Sequence, residues 1–154
     1  YFPEFSSQKV FVKTADSLVL VDRVRSITIR DLLTHQAGIS SADEYPYLQK
    51  EFLKYGLSNS GVTQYPSLRA EIAQIAKMPL AHQPGARFSY GLSTNVLGGL
   101  IELITKQSLS KYLASRSSKS GSVSTIDVVG VTATTIPSII ADFSYVALPA
   151  GSKD

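Results

Sequence analysis

"PGARFSYGLSTNVLGGLIELI", residues 84–104, decides how this chain folds. A Pro-Gly turn leads into a short segment with aromatics at Phe88 and Tyr90, and the Ser93-Thr94 pair then opens a long apolar run. That run is apolar nearly all round, so it predicts a buried helix capped by Ser93 or Thr94. Gly98 and Gly99 inside it each cost about 1 kcal/mol relative to alanine, which predicts another element packed close against them. Tyr90 stands at the junction of turn and helix. Its plainer reading is an aromatic that packs beside Phe88 on an extended segment; its sharper reading is an acid/base group held at the mouth of a helix.

Outward toward the N-terminus, "PLAHQPG" (79–85) is a turn-rich bridge, and before it "SLRAEIAQIAKM" (67–78) spells a helix. Ser67 is its N-cap, Glu71 lies in its first turn, and Leu68, Ile72, Ile75 and Ala76 share one face. Residues 41–66 read as a long excursion with a turn or two of helix around "YLQKEFLKYG", ended by Gly56. In "SITIRDLLTHQAGIS" (26–40), Thr28 and Asp31 have the spacing of a capping box, and Gly38 supplies a left-handed stop. Ile29, Leu32 and Leu33 face inward there and Arg30 outward. The first 26 residues read as irregular chain with two short strands. Toward the C-terminus, "SLSKYLAS" (108–115) is a further helix capped by Ser108. From Ser115 on, a Ser-rich, low-charge tail changes the character of the sequence.

Composition narrows the function. The chain has 154 residues, room for one domain with a real core. It is 44% hydrophobic and 18% charged, with no apolar run of membrane-spanning length, and so reads as soluble and globular. The net charge of +3 is scattered in single residues, with no basic stripe to follow a phosphate backbone, which argues against nucleic acid as a partner. Without cysteine, thiol chemistry and disulfides are excluded, and two histidines make a poor zinc site. The sequence begins at Tyr1 and its one methionine is Met78, so a longer parent chain is expected.

A hydroxyl nucleophile needs an adjacent base, and three serines have a candidate one. Ser6 with Lys9, and Ser108 with Lys111, satisfy Ser-x-x-Lys, but Ser6 lies outside any helical pattern and Ser108 is better explained as a cap. Ser93 could sit on a strand-turn-helix elbow, except that Asn95 occupies a position where that motif requires glycine. His35, at a predicted helix end, reads as an imidazole bonding the last carbonyls, and His82 as an exposed turn histidine. Lys119-Ser120-Gly121 has the form of a Lys-Ser-Gly strand triad, set within a serine-rich linker.

Together, "ITIRDLLTHQAGIS" and "PLAHQPGARFSYGLSTNVLGGLIELITKQSLSKYL" resemble the serine β-lactamase-related family: class C β-lactamases, esterases of the same fold and D-alanyl-D-alanine peptidases. Arg30, Asp31, Leu32, Leu33, Thr34, His35 and Gly38 carry the first motif; Pro84, Gly85, Phe88 and Tyr90 carry the second; "YFPEF" at 1–5 resembles a third. The resemblance spans about residues 1–114. It implies that Tyr90 is the catalytic residue here, a general base or proton shuttle beside an acyl-forming serine and its lysine. The family's Ser-x-x-Lys precedes the segment resembling Tyr1–Phe5, so Ser6 does not inherit its role. Leu92 stands where class C β-lactamases have asparagine, which favours the esterase branch.

The expectation is therefore an incomplete α/β (α+β) domain of the β-lactamase/transpeptidase type, mostly its helical portion with few strands, over residues 1–114. Residues 115–154 form a tail of a different kind. The implied chemistry is hydrolysis of a small-molecule ester or amide through an acyl-serine, without metal or organic cofactor, and the chain alone is expected to be inactive. The alternative from another class is a non-catalytic helical interaction module. A complete small esterase using Ser93 with His35 or His82 ranks below both.

Overall fold

The computed structural model of the chain describes residues 1–15, 17–57 and 65–117. Two strands, β1 (Val10–Lys13) and β2 (Leu18–Val21), pair antiparallel with Val10 opposite Val21 and Lys13 opposite Leu18. Five helices follow: α1 (Ile29–Leu33), α2 (Gln49–Lys54), α3 (Leu68–Ile75), α4 (Ser93–Thr105) and α5 (Leu109–Ser117). Short 3-10 turns at Pro3–Ser7 and Pro46–Leu48 complete the described elements. The chain is a mostly helical part of an α/β fold, with two strands among the described residues.

The helix starts are written locally. Thr28 Oγ1 accepts from the Asp31 N–H at 3.1 Å while Asp31 Oδ2 accepts from the Thr28 N–H at 2.8 Å, closing the expected capping box. Ser67 Oγ accepts from the Ala70 N–H, and Ser108 Oγ from the Lys111 N–H. At α4 the expectation fails. Leu92 is the N-cap residue, no side chain caps the helix, and Ser93 is its first residue, buried with its Oγ unpartnered. The end of α1 differs as well. Gly38 does have positive φ, but the residue that stops the helix is His35, at φ 52°. Its N–H bonds Leu32 O at 3.2 Å and the Gln36 N–H bonds Asp31 O at 2.7 Å, the paired bonds of a Schellman stop with histidine in the usual glycine position. A side chain in that backbone region costs about 1 kcal/mol.

Helix α4 is the centre of the packing and meets α1, α3 and α5. Its glycines do what their cost implied: a Cβ on Gly99 would lie 2.0 Å from Ile72 Cδ1, and one on Gly98 would lie 2.9 Å from Leu109 Cδ2. Around α4 and α3 the buried Leu48, Phe52, Ile72, Ile75, Leu80, Val96 and Leu100 form the core. The hairpin joins this core along one edge. Val10 bridges in parallel to Leu80, with the Phe11 N–H on Leu80 O and the Leu80 N–H on Lys9 O, both at 2.8 Å. The Gln8 amide adds bonds to Ile75 O at 3.0 Å and Met78 O at 2.8 Å. Val12, Leu18, Val19 and Leu20 of the hairpin remain exposed.

Candidate active site

Tyr90 sits on the segment between the Pro84-Gly85 turn and α4, laid against the loop that follows α1. The Ser89 N–H bonds His35 O at 2.8 Å and the Ser41 N–H bonds Tyr90 O at 2.9 Å. Gly91 makes the approach possible: a Cβ there would lie 2.4 Å from Ile39 O and 2.6 Å from the Ser40 carbonyl carbon, both main-chain atoms that cannot step aside. Beneath this crossing Ser40 and Ser89 are both buried, Ser89 Oγ donates to Ser40 Oγ, the two reach Glu44 Oε2 at 3.2 and 3.3 Å, and Ser40 Oγ also donates to Tyr90 O at 3.2 Å. The main chain of Tyr90 is held from below. The residue as a whole is 64% exposed.

One ring lies against it. His35 stacks on Tyr90 with centroids 5.2 Å apart and planes 26° from parallel, and the Phe88 ring lies tilted against the imidazole at 5.6 Å. His35 Nδ1 is buried without a hydrogen-bond partner, so the helix-end role expected for its ring is replaced by stacking. Burial holds its pKa below the ordinary imidazole value.

The other sequence candidates lie apart from Tyr90. Lys9 Nζ pairs with Asp22 and not with the Ser6 hydroxyl, so the two do not form a nucleophile and base. Ser108 is a cap whose Oγ lies 3.2 Å from Ser110 Oγ. Ser93 Oγ meets neither histidine. His82, expected in an exposed turn, is buried, its Nδ1 donating to Gln83 O at 2.9 Å. The Lys119-Ser120-Gly121 triplet lies outside the described residues. An open cleft of about 450 Å³ is lined by Lys9, Asp22, Arg23, Arg25 and nearby serines, and none of Tyr90's neighbours borders it. Among the described residues no three metal-ligating side chains converge.

Two buried carboxylates escaped the sequence reading as charged groups inside the fold. Asp31 accepts both Arg25 guanidinium nitrogens, at 2.6 and 2.8 Å, besides its capping bonds; chiefly through Arg25 its pKa falls from 3.8 to about 2. The i, i+6 spacing of Arg25 and Asp31 across a helix start was the available signal. Glu71 is buried on α3, where burial raises its pKa while the Asn95 amide, 3.0 Å away, opposes the rise. Asn95, which spoils the serine elbow, is thus the partner of a buried acid.

The chain belongs to the Beta-lactamase family, whose model matches residues 19–121. Monacolin J acid methylbutanoyltransferase of Aspergillus terreus is 30% identical over 113 residues, 72% of this chain and 26% of that protein. Protein Rv1367c of Mycobacterium tuberculosis is 31% identical over 100 residues, 60% of this chain and 21% of its own length. In structure, unliganded simvastatin synthase (LovD) of Aspergillus terreus is similar with TM-score 0.52 at 27% identity, covering 73% of this chain and 26% of that one. EstCE1, described as a hydrolase with promiscuous acyltransferase activity, gives TM-score 0.54 at 25% identity, covering 71% and 26%. The chain spans about a quarter of the length of the curated relatives it matches. The family is one of serine hydrolases and acyltransferases. No helix among the described residues is long and apolar enough to cross a membrane.

Proposed function

We propose that this chain is the tyrosine-bearing portion of an acyl-serine enzyme acting on small esters, with Tyr90 as its proton-transferring base. The observation that carries the reading is the presentation of Tyr90: main chain fixed by two crossed loops, the residue as a whole exposed, in the Pro-Gly-x-x-Phe-x-Tyr segment of a family that forms acyl-serines. In the proposed reaction a serine hydroxyl adds to the ester carbonyl as its proton passes to the Tyr90 oxygen, and the proton then goes to the departing alcohol. Water or an acceptor hydroxyl reverses these steps on the acyl-serine. A phenol near pKa ~10 serves as base at neutral pH only beside a cation. Arg87 is not bonded to the Tyr90 hydroxyl and does not supply it; its Nε donates to the Tyr45 hydroxyl at 3.0 Å. The lysine of a Ser-x-x-Lys motif outside residues 1–154 would, together with its serine. Acyl transfer to water or to a hydroxyl acceptor fits the activities for which EstCE1 and the acyltransferase relatives are named, and Leu92 in place of asparagine supports ester over lactam.

Tyr90→Phe in a protein that includes the serine and lysine should lower kcat/KM for a chromogenic short-chain ester by on the order of 100-fold or more. Unchanged turnover would remove Tyr90 as the base. Residues 1–154 alone should turn over no ester; turnover that Tyr90→Phe abolishes would show that they suffice. Residues 115–154 are proposed to lie outside the acyl-transferring domain, although α5 runs on to Ser117. Deleting 118–154 should then leave the far-ultraviolet dichroism of the helices and the melting midpoint in place.

A further inference from the structure

A histidine occupies the position at the end of α1 where the backbone favours glycine. Glycine at position 35 would form the same two terminating bonds without a side chain in the left-handed region. Strain of this kind at a single residue points to a use for the side chain it carries. The use is not to bond the helix end, because His35 Nδ1 is buried and unpartnered. The imidazole carried on this left-handed backbone lies against Tyr90 at 5.2 Å and 26°, with the Phe88 ring against it at 5.6 Å. The main-chain bonds through Ser89 and Ser41 fix where Tyr90 begins; they leave its side-chain rotation open. Among the described aromatic contacts, His35 is the ring that restricts it.

We propose that His35 is a positioning residue, the plate on which the Tyr90 ring is held so that the phenol oxygen stays at one point above the loop crossing. The proposal rests on the reading of Tyr90 as the base. It makes the strained backbone and the stacked ring two sides of one arrangement, in which helix termination supplies the angle and the imidazole supplies the surface.

The test uses His35→Gly and His35→Phe in the 154-residue chain, with the Tyr90 ring resonances assigned by their disappearance in Tyr90→Phe. In the unsubstituted chain the Tyr90 ring protons should be displaced upfield by the imidazole ring current. In His35→Gly they should move to the position of an unstacked tyrosine while the chain still melts within about 5 °C of the parent, since lost packing and released backbone strain oppose each other. His35→Phe should restore the displacement and melt lower. Tyr90 signals unchanged in His35→Gly, or a glycine variant that no longer folds, would overturn the proposal. In a protein that includes the serine and lysine, His35→Gly should lower kcat roughly 100-fold with KM unchanged, and His35→Phe should recover part of the loss. An unaltered kcat beside displaced Tyr90 signals also overturns the positioning role. Turnover surviving Tyr90→Phe would instead defeat the base reading and leave the resonance result standing.

Discussion

Asp31 shows how much one side chain integrates. Its carboxylate closes the capping box, accepts the Thr28 hydroxyl and grips Arg25, so four donors favour its ionised form. With a folded pKa of about 2 against 3.8, the unfolded chain takes up a proton first on acidification. Its contribution is therefore present above pH 3.8 and lost as pH falls toward 2, up to about 2 kcal/mol in all. Asp31→Asn should lower the urea midpoint at pH 7 and flatten the profile between pH 4 and 2. The two histidines act in another window. Burial depresses both, and in His82 the bond to Gln83 O offsets part of the effect. Their unfolded forms gain protons first as pH falls through about 6.5, so stability should decline below that value. Urea titrations at pH 8, 6 and 5 check this, and a flat profile across that range would contradict it. The burial of His82 was not legible, since a turn sequence such as "AHQPG" does not state which way its ring points.

Among the elements, the α3–α4 contact is the tightest. Gly99→Ala gains helix propensity of roughly 1 kcal/mol but drives a methyl into Ile72 Cδ1, and overpacking of a closed core costs about 1–3 kcal/mol. A net loss is expected. Removing the obstructing atom with Ile72→Val in the Gly99→Ala background should recover stability, although Ile72→Val alone costs about 1 kcal/mol. Calorimetric melts of the four proteins give the coupling, and additive effects would refute the contact. The glycine pair, the Thr28 and Ser67 caps and the apolar face of α3 were all readable, because each is a rule of local backbone or period. The cap of α4 was not. Ser93 has the right chemistry one position too late, its place set by how the Tyr90 segment crosses the loop of residues 39–41, a contact between parts of the chain about 50 residues apart. Histidine as the stop of α1 was hidden too, since propensity points to Gly38 while the chain takes its left-handed turn already at His35.

For the whole molecule, the hairpin is held by few bonds. Gln8 donates to two carbonyls at the end of α3, and Gln8→Ala would leave both buried acceptors without that donor, a loss of about 2 kcal/mol. Hydrogen exchange should then show Phe11 and Leu80 amides opening ahead of α4; uniform protection would mean that the hairpin is carried by its side chains instead. The family was legible from two motifs in register, and the match over residues 19–121 agrees with them. The site was legible to the extent of Tyr90 as a candidate and no further. Its surroundings of Ser40, Ser89, Glu44 and His35 are assembled by loop crossing, which has no period and no local propensity.

The bridge between Val10 and Leu80 also has a history in time. A ribosome adding roughly 5–20 residues per second needs several seconds to deliver position 80 after position 10, and throughout that interval the nascent hairpin lacks the edge that anchors it. Its apolar strands must wait, exposed, for a partner still being made. Within residues 1–80 the order of synthesis thus places a hairpin with exposed apolar side chains well ahead of its anchor, which makes a chaperone's hold on the newly made hairpin a consequence of the topology.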